Sequence, residues 1–324
     1  MMKKSCFLPG LCLVIPYAFF TTATVCFGFF GTGYPTSNSA PPKSNVLYTV
    51  TLLHQEKVET LHLEDYLYGV VAAEMPASFE PEALKAQAVA ARTYTANRSR
   101  FPNKDHPEAN VCSQSSHCKA YLTPKELEEK FEKNPEGLEK IKQAVDETRN
   151  EIAVYNGEPI SAVFHSTSSG ITENARDVWG GDLPYLVSVV SEGEEASPRY
   201  TETKTFSFQE FFEKINHGEK KVEFSKDPAE WFSNWKKNES GSVKAVSVCG
   251  VSFKGTELRS LLGLRSTHFE IKVTDSITIT TKGNGHGVGM SQYGANDMAK
   301  KGYPYDQILK KYYTGITLSH LSDV

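Results

Sequence analysis

The 324-residue chain carries 35 Lys and Arg against 39 Asp and Glu, a net charge of −4 at neutral pH. That balance excludes a whole-protein field drawn to nucleic acid, although local basic clusters can still grip an anionic polymer. Six cysteines in a chain of this length exclude a disulfide-dense scaffold. The roughly 280 residues left after an N-terminal targeting segment can bury a full hydrophobic core.

Lys3 and Lys4 precede a stretch, 5–42, without a charged residue, whose apolar part runs from about Cys6 to Phe30. A basic start followed by an apolar run reads as a secretory signal, and the run nearly reaches the ~20 apolar residues a membrane span needs. Pro9, Gly10 and Pro16 interrupt it, no clean A-x-A site follows, and Ala23–Cys26 only loosely matches a lipoprotein site. Residues 1–33 are therefore expected to be a signal peptide or membrane anchor, with cleavage or retention left open. The protein is expected to be exported, periplasmic or extracytoplasmic, touching the membrane only through this segment. Residues 34–45, rich in Pro, Ser and Asn, read as a flexible linker, and 46–320 as one domain.

Within that domain, 46–52 is predicted as a strand, 55–57 as a polar turn and 61–63 as a second strand. From Glu64 the apolar period becomes helical, and Pro76 stops it. Pro81 and Glu82 open an alanine-rich helix to Asn97. A polar loop rich in His and Cys fills 103–118. The charged run 124–149 predicts two surface helices broken at Asn134-Pro135. Further strands are predicted at 151–155, 160–165, 185–190, 243–248, 269–273 and 277–281, and helices at 206–215, 291–301 and 304–312; 231–238 gives no clear signal. Helices and strands segregate rather than alternate. The fold class is therefore α+β: a mixed, mostly antiparallel sheet core with packed helices, compatible with two lobes around a substrate groove.

Glu74 ends an otherwise apolar and small run, 70–76. A carboxylate is seldom placed among such residues unless it is paired or functional. A helix C-terminus and apolar neighbours both favour the protonated form, the form a general acid needs. A surface Glu at a frayed helix end is the plain alternative. On the next helix Lys85 and Arg92 stack along one stripe, as do Gln87 and Tyr94. They read either as solvated polar positions or as a donor-rich surface for a sugar polymer bearing carboxylates.

The string 63–76, ending Glu74-Met75-Pro76, continued by 84–94, resembles the stage II sporulation protein D family, which includes autolysin modifiers. Two further blocks are similar to its motifs: 164–170 with Thr172-Glu173-Asn174 and Asp177-Val178-Trp179, and 283–295 around His286. The resemblance implies a peptidoglycan lytic transglycosylase acting on glycan strands that an N-acetylmuramoyl-L-alanine amidase has stripped of peptides, with Glu74 as catalyst. Ordinary glycoside hydrolysis uses two carboxylates. An internal hydroxyl that replaces water, already attached to the sugar, removes the need for the second.

Substrate-binding candidates are Lys85, Gln87, Arg92 and Tyr94 on the helix, His165, Ser166, Thr167, Ser168 and Asp177 in the central block, and His286 and Gln292 in the last block. Lys85 or Arg92 could pair with the lactyl carboxylate of a stripped muramic acid. Ser166 to Ser169 offer hydroxyls to a sugar, Glu173 and Asp177 could position Glu74 or the sugar, and the glycines around His286 suggest close backbone approach. No G-x-S-x-G supports a serine hydrolase and no H-E-x-x-H a zinc peptidase.

His106, Cys112, His117 and Cys118 fall within thirteen residues. Two thiolates and two imidazoles suit a closed structural zinc site, and some members of the resembled family hold zinc on a similar cluster. A Cys112–Cys118 disulfide is the alternative. Cys249 is expected to be a buried core thiol. Against the enzyme stands a second reading, a peptidoglycan-binding enhancer of an amidase that does not itself cut; an intact Glu-Met-Pro favours the enzyme.

Overall fold

A computed structural model describes residues 48–324, apart from Pro102, Ser116 and Lys226. The expected export segment and linker lie outside the described residues. The described residues belong to one compact unit. Among the described residues no helix is long and apolar enough to cross a membrane.

Strands β1 (Thr49–His54) and β2 (Lys57–His62) form an antiparallel hairpin turned by Gln55 and Glu56, both at positive φ. Leu63, expected in the strand, instead opens helix α1 (Leu63–Glu74), its N–H donating to the Tyr48 carbonyl. Pro76 ends that helix as expected: the residue before a proline is driven out of the α region, and Met75 is extended at φ −121°.

Helix α2 (Pro81–Ser99) is the hub of the first apolar cluster, packing on α1, on α4 (Pro135–Glu147), on β4 (Glu151–Tyr155), and on α8 (Gln292–Lys300) and α9 (Tyr305–Tyr312). Its alanines bring these neighbours close. A short β3 (Val111–Cys112) pairs in parallel with β1. Helix α3 (Pro124–Phe131) starts at a Thr123/Glu126 capping box, and α4 at the Asn134 cap, where the sequence predicted the break. The pair is not merely a solvated face: Leu127, Phe131, Ile141 and Val145 are buried. Each such residue stabilises the fold by about 1.5–3 kcal/mol.

Strand β4 lies between β5 (Glu158–Pro159) and β14 (Thr317–His320). Of the strand expected over 160–165 only β6 (Phe164–His165) forms, paired in parallel with β13 (Met290–Ser291). The expected strand at 185–190 is absent. Its apolar residues cover the first cluster while its backbone bonds to loops, Thr172 N–H to Val189 O and Ala175 N–H to Leu186 O; Val190 alone bridges, to Ile171. An apolar run that short does not reveal which partner its backbone takes. Helix α5 (Ala175–Trp179) is a single capped turn.

Residues 201–282 build a second apolar cluster. Strand β7 (Thr201–Phe206) pairs with β12 (Ile277–Lys282), which pairs with β11 (Phe269–Val273). A second sheet joins β8 (Phe232–Lys237), β9 (Val243–Val248) and β10 (Val251–Lys254). Between them lie α6 (Phe208–His217) and α7 (Gly255–Leu262). Phe206 belongs to β7 because Ser207 and Glu210 form the capping box that starts α6 at Phe208, two residues later than expected. Cys249, expected in the core, is half-buried at the β9–β10 turn with φ 46°. The α+β class holds, with mostly antiparallel pairing in small sheets around two apolar clusters.

Candidate functional site

Glu74 is the last residue of α1 and is half-buried. The Ala120 backbone N–H donates to its Oε1 at 3.1 Å, and among the described residues no cation makes a salt bridge with it. Lys130 Nζ caps the same helix end by donating to Ala72 O at 2.7 Å. The Glu74-Met75-Pro76 turn, with Lys130, Phe131 and Asn134, borders an open cavity of about 550 Å³.

Beside Glu74 lies Lys119, which the sequence reading passed over. Its ammonium sits 3.5 Å from the centroid of the Phe164 ring and 4.5 Å from that of Tyr94. Burial pushes this lysine down to about 8, while the charge of Glu74 acts in the opposite direction. The field of Lys119 also reaches His286. The His286 ring stands 5.7 Å from that of His165 and 5.0 Å from the indole of Trp179. Burial, then the neighbouring His165, Lys119 and Arg259, hold His286 neutral, well below the usual histidine range. Burial likewise holds His165 neutral, at about 4, with its Nδ1 on the Val288 carbonyl at 3.1 Å. Thus the Glu74 turn, the central block and the last block are brought together through Lys119, although they are far apart in sequence.

Two glycines of the last block permit this approach. A Cβ on Gly285, at φ 122°, would lie 2.8 Å from His165 Cβ, and one on Gly289, at φ 72°, would run into the Val163 carbonyl.

The stripe on α2 is corrected by the fold. A helix packed on several sides leaves no solvated face, so its polar groups pair internally. Arg92 is fully buried, donating to both oxygens of Glu64 at 3.1 and 2.6 Å and to the Val145 and Glu151 carbonyls. Lys85 is paired with Glu82 and Glu147. Gln87 is buried and receives Gln292 Nε2 at 3.4 Å, and Tyr94 lies under Lys119. None of Lys85, Gln87, Arg92 or Gln292 borders the Glu74 cavity.

The hydroxyl loop is partly engaged within the protein. Thr167 Oγ1 donates to Ser197 Oγ at 2.9 Å, and Ser168 offers its N–H and Oγ to Glu194 at 3.0 and 2.8 Å. Buried Glu194 also accepts from Ser191 and Ser291. Burial raises the affinity of this carboxyl for its proton, and these bonds oppose the shift. Ser166 and Ser169 remain half-exposed. Asp177 pairs with Lys244 of β9 at 3.1 Å and Glu173 accepts from Ser240 at 2.7 Å. Both acids therefore tie the central block to the second cluster rather than to Glu74.

His106, Cys112, His117 and Cys118 bring one ligand atom each to within 4.8 Å of one another, and both cysteines are free thiols. Sulfur–nitrogen separations are 3.3 Å for Cys112–His117 and Cys118–His117 and 3.5 Å for Cys118–His106. A tetrahedral zinc with Zn–S ≈ 2.3 Å and Zn–N ≈ 2.0–2.1 Å sets such edges at about 3.5 Å, so the donor set fits. The outer nitrogens are oriented as metal-ligating imidazoles usually are, His117 Nε2 on Asp105 at 2.9 Å and His106 Nδ1 on the Ala109 carbonyl at 2.9 Å. Asn103 Nδ2 shares the inner nitrogen of His106.

A family profile described as Stage II sporulation protein matches residues 53–155. The chain is 43% identical over 269 residues to Stage II sporulation protein D of Bacillus subtilis (strain 168), covering 82% of this chain and 76% of that protein. It is 40% identical over 293 residues to the Bacillus amyloliquefaciens protein of the same name, covering 88% and 81%. Similarity extends to the Amidase enhancer of Bacillus subtilis (strain 168), 31% over 312 residues, 78% of this chain and 40% of that protein. With most of its length aligned at 40–43% identity to two such proteins, the chain belongs to the stage II sporulation protein D family.

Proposed function

We propose that this protein is a lytic transglycosylase of the bacterial cell wall, cutting the bond between N-acetylmuramic acid and N-acetylglucosamine in strands already stripped of peptides. The observation that carries the reading is the setting of Glu74. Its carboxyl stands at an open cavity, held at one oxygen by the Ala120 N–H and free of salt bridges among the described residues. The reaction requires the other oxygen to bring a proton. Glu74 gives it to the glycosidic oxygen as that bond breaks. The resulting carboxylate then takes the proton of the muramic acid O6 hydroxyl as O6 closes on C1, leaving a 1,6-anhydro end and a regenerated acid. One carboxyl serves both steps because the nucleophile is part of the substrate. Lys119 stabilises the carboxylate between them, as a nearby cation does.

His106, Cys112, His117 and Cys118 would hold a zinc ion that, with every position filled by protein, supplies cross-linking and no catalysis. The substrate lies outside the cytoplasm, so the reading requires export by the N-terminal segment. A partner amidase would supply the stripped strands. Lys85 and Arg92, paired within the fold, are not assigned to the lactyl carboxylate.

The similarity to the Amidase enhancer favours a second reading, a glycan-binding protein that stimulates an amidase without cutting. Incubating wild type and Glu74→Gln with amidase-treated peptidoglycan separates the two. The enzyme reading expects cleavage by wild type, none by Glu74→Gln, and wall binding by both. Binding without cleavage by either protein, together with stimulation of an amidase, would establish the enhancer.

A further inference from the structure

Trp179 is half-exposed, at 51% of its surface, although tryptophan is among the most costly side chains to leave in water. Nothing about its position is loose. It ends the single turn α5, which Asn174 caps and which the Asp177–Lys244 pair ties to β9. The indole meets the His286 ring at a centroid distance of 5.0 Å and a tilt of 53°. His286 is fixed in turn by the Val288 N–H, which donates to its Nδ1 at 3.1 Å, and by the Phe164 carbonyl. The chain beyond the indole is bare. Gly180 and Gly181 follow, and a Cβ built on either would meet nothing within 4 Å.

A second unmet group lies in the same ring cluster. His165 Nε2 is buried without a hydrogen-bond partner among the described residues, while Nδ1 is engaged by the Val288 carbonyl. That carbonyl only accepts, so Nδ1 carries the proton and Nε2 presents a lone pair with nothing donating to it. The two imidazoles stand 5.7 Å apart, with the indole on the far one. The exposed indole offers a flat apolar surface that suits the C–H face of a pyranose, with His165 on the other side of His286.

Resting on the transglycosylase reading, we propose that Trp179 is a sugar-binding residue, the platform on which one N-acetylated pyranose of the glycan strand stacks, with His286 as its backing. The platform belongs to the ring cluster of the central and last blocks, where His286 meets His165 and the neighbouring Phe164 carries the Lys119 ammonium at 3.5 Å. This places a strand across the central and last blocks while its scissile bond meets the carboxyl.

The test uses the full chain carrying Glu74→Gln, so that binding is read without cleavage, and an N-acetylglucosamine hexamer as probe. Trp231 and Trp235 are the other indoles. The hexamer should shift and quench tryptophan emission in Glu74→Gln and in Glu74→Gln/Trp235→Ala. Adding Trp179→Ala should abolish that response and weaken binding about ten-fold, and Trp179→Phe should restore most of the affinity. In the otherwise wild-type chain, Trp179→Ala should raise KM for stripped glycan and leave kcat nearly unchanged. Undiminished binding by the Trp179→Ala protein, or no hexamer binding by any form, overturns the proposal. A protein that never cleaves yet shows the Trp179-dependent response overturns the transglycosylase reading and leaves the platform standing.

Discussion

The Ala120 N–H reaches Glu74 Oε1 at 3.1 Å across 46 positions of sequence. Ala120 stands two residues after Cys118, so the segment that carries the His/Cys cluster also orients the candidate acid. The loop should therefore couple metal content to activity. Purified protein is expected to hold one zinc per chain by elemental analysis. Removing it with a strong chelator should cost about 2–3 kcal/mol, lowering the melting temperature by roughly 5–10 °C, and reduce cleavage in parallel. A metal-free preparation that is as stable and as active as the untreated one would contradict the coupling.

The buried Arg92–Glu64 pair yields a stability prediction rather than a binding one. Arg92→Met leaves Glu64 as an uncompensated buried charge and should destabilise the protein by about 3–5 kcal/mol in urea unfolding. Adding Glu64→Leu should recover much of that loss, because the stranded charge is then gone. Folded double variant should bind glycan as wild type does; lost affinity with intact stability would return Arg92 to the substrate.

His165 gives the fold a pH dependence. Burial lowers its folded-state value to about 4 from 6.5. Between those limits the unfolded chain binds the extra proton, so stability rises with pH. The contribution is complete above about pH 6.5 and is lost as pH falls toward 4, a span on the order of 3 kcal/mol. Buried Glu173 and Glu194, shifted upward, act in the opposite sense. Comparing wild type with His165→Asn, whose amide can still donate to the Val288 carbonyl, removes their common effect. The difference in unfolding free energy should narrow from pH 7 to pH 4.5, and a constant difference would exclude the neutral buried imidazole.

Local signals in the sequence were good guides where the chain itself settles the structure. Pro76 and Pro81 bound the helices around Glu74, and Asn134 divides α3 from α4, because caps and prolines act within a few residues. Glu74 stood out for the same reason, a carboxylate at the end of an apolar turn. What stayed illegible depends on partners distant in sequence. The stripe of Lys85, Gln87, Arg92 and Tyr94 looks identical whether its helix faces solvent or five neighbours. Only the fold places Glu64 under Arg92. Lys119 carries no signal of its own in the sequence, because the rings of Phe164 and Tyr94 that enclose it are distant in the chain. The acids Glu173 and Asp177 were visible as candidates, but their partners Ser240 and Lys244 lie in a stretch without a readable motif.

The central claim is that one carboxyl, Glu74, breaks the glycosidic bond with the substrate's own O6 as nucleophile. Mass spectrometry of the new glycan ends, after wild-type protein meets amidase-stripped peptidoglycan, tests it most directly. The account predicts 1,6-anhydro-muramyl ends, one water lighter than reducing ends, from wild type and none from Glu74→Gln. Reducing ends from wild type, or anhydro ends persisting in Glu74→Gln, would contradict it.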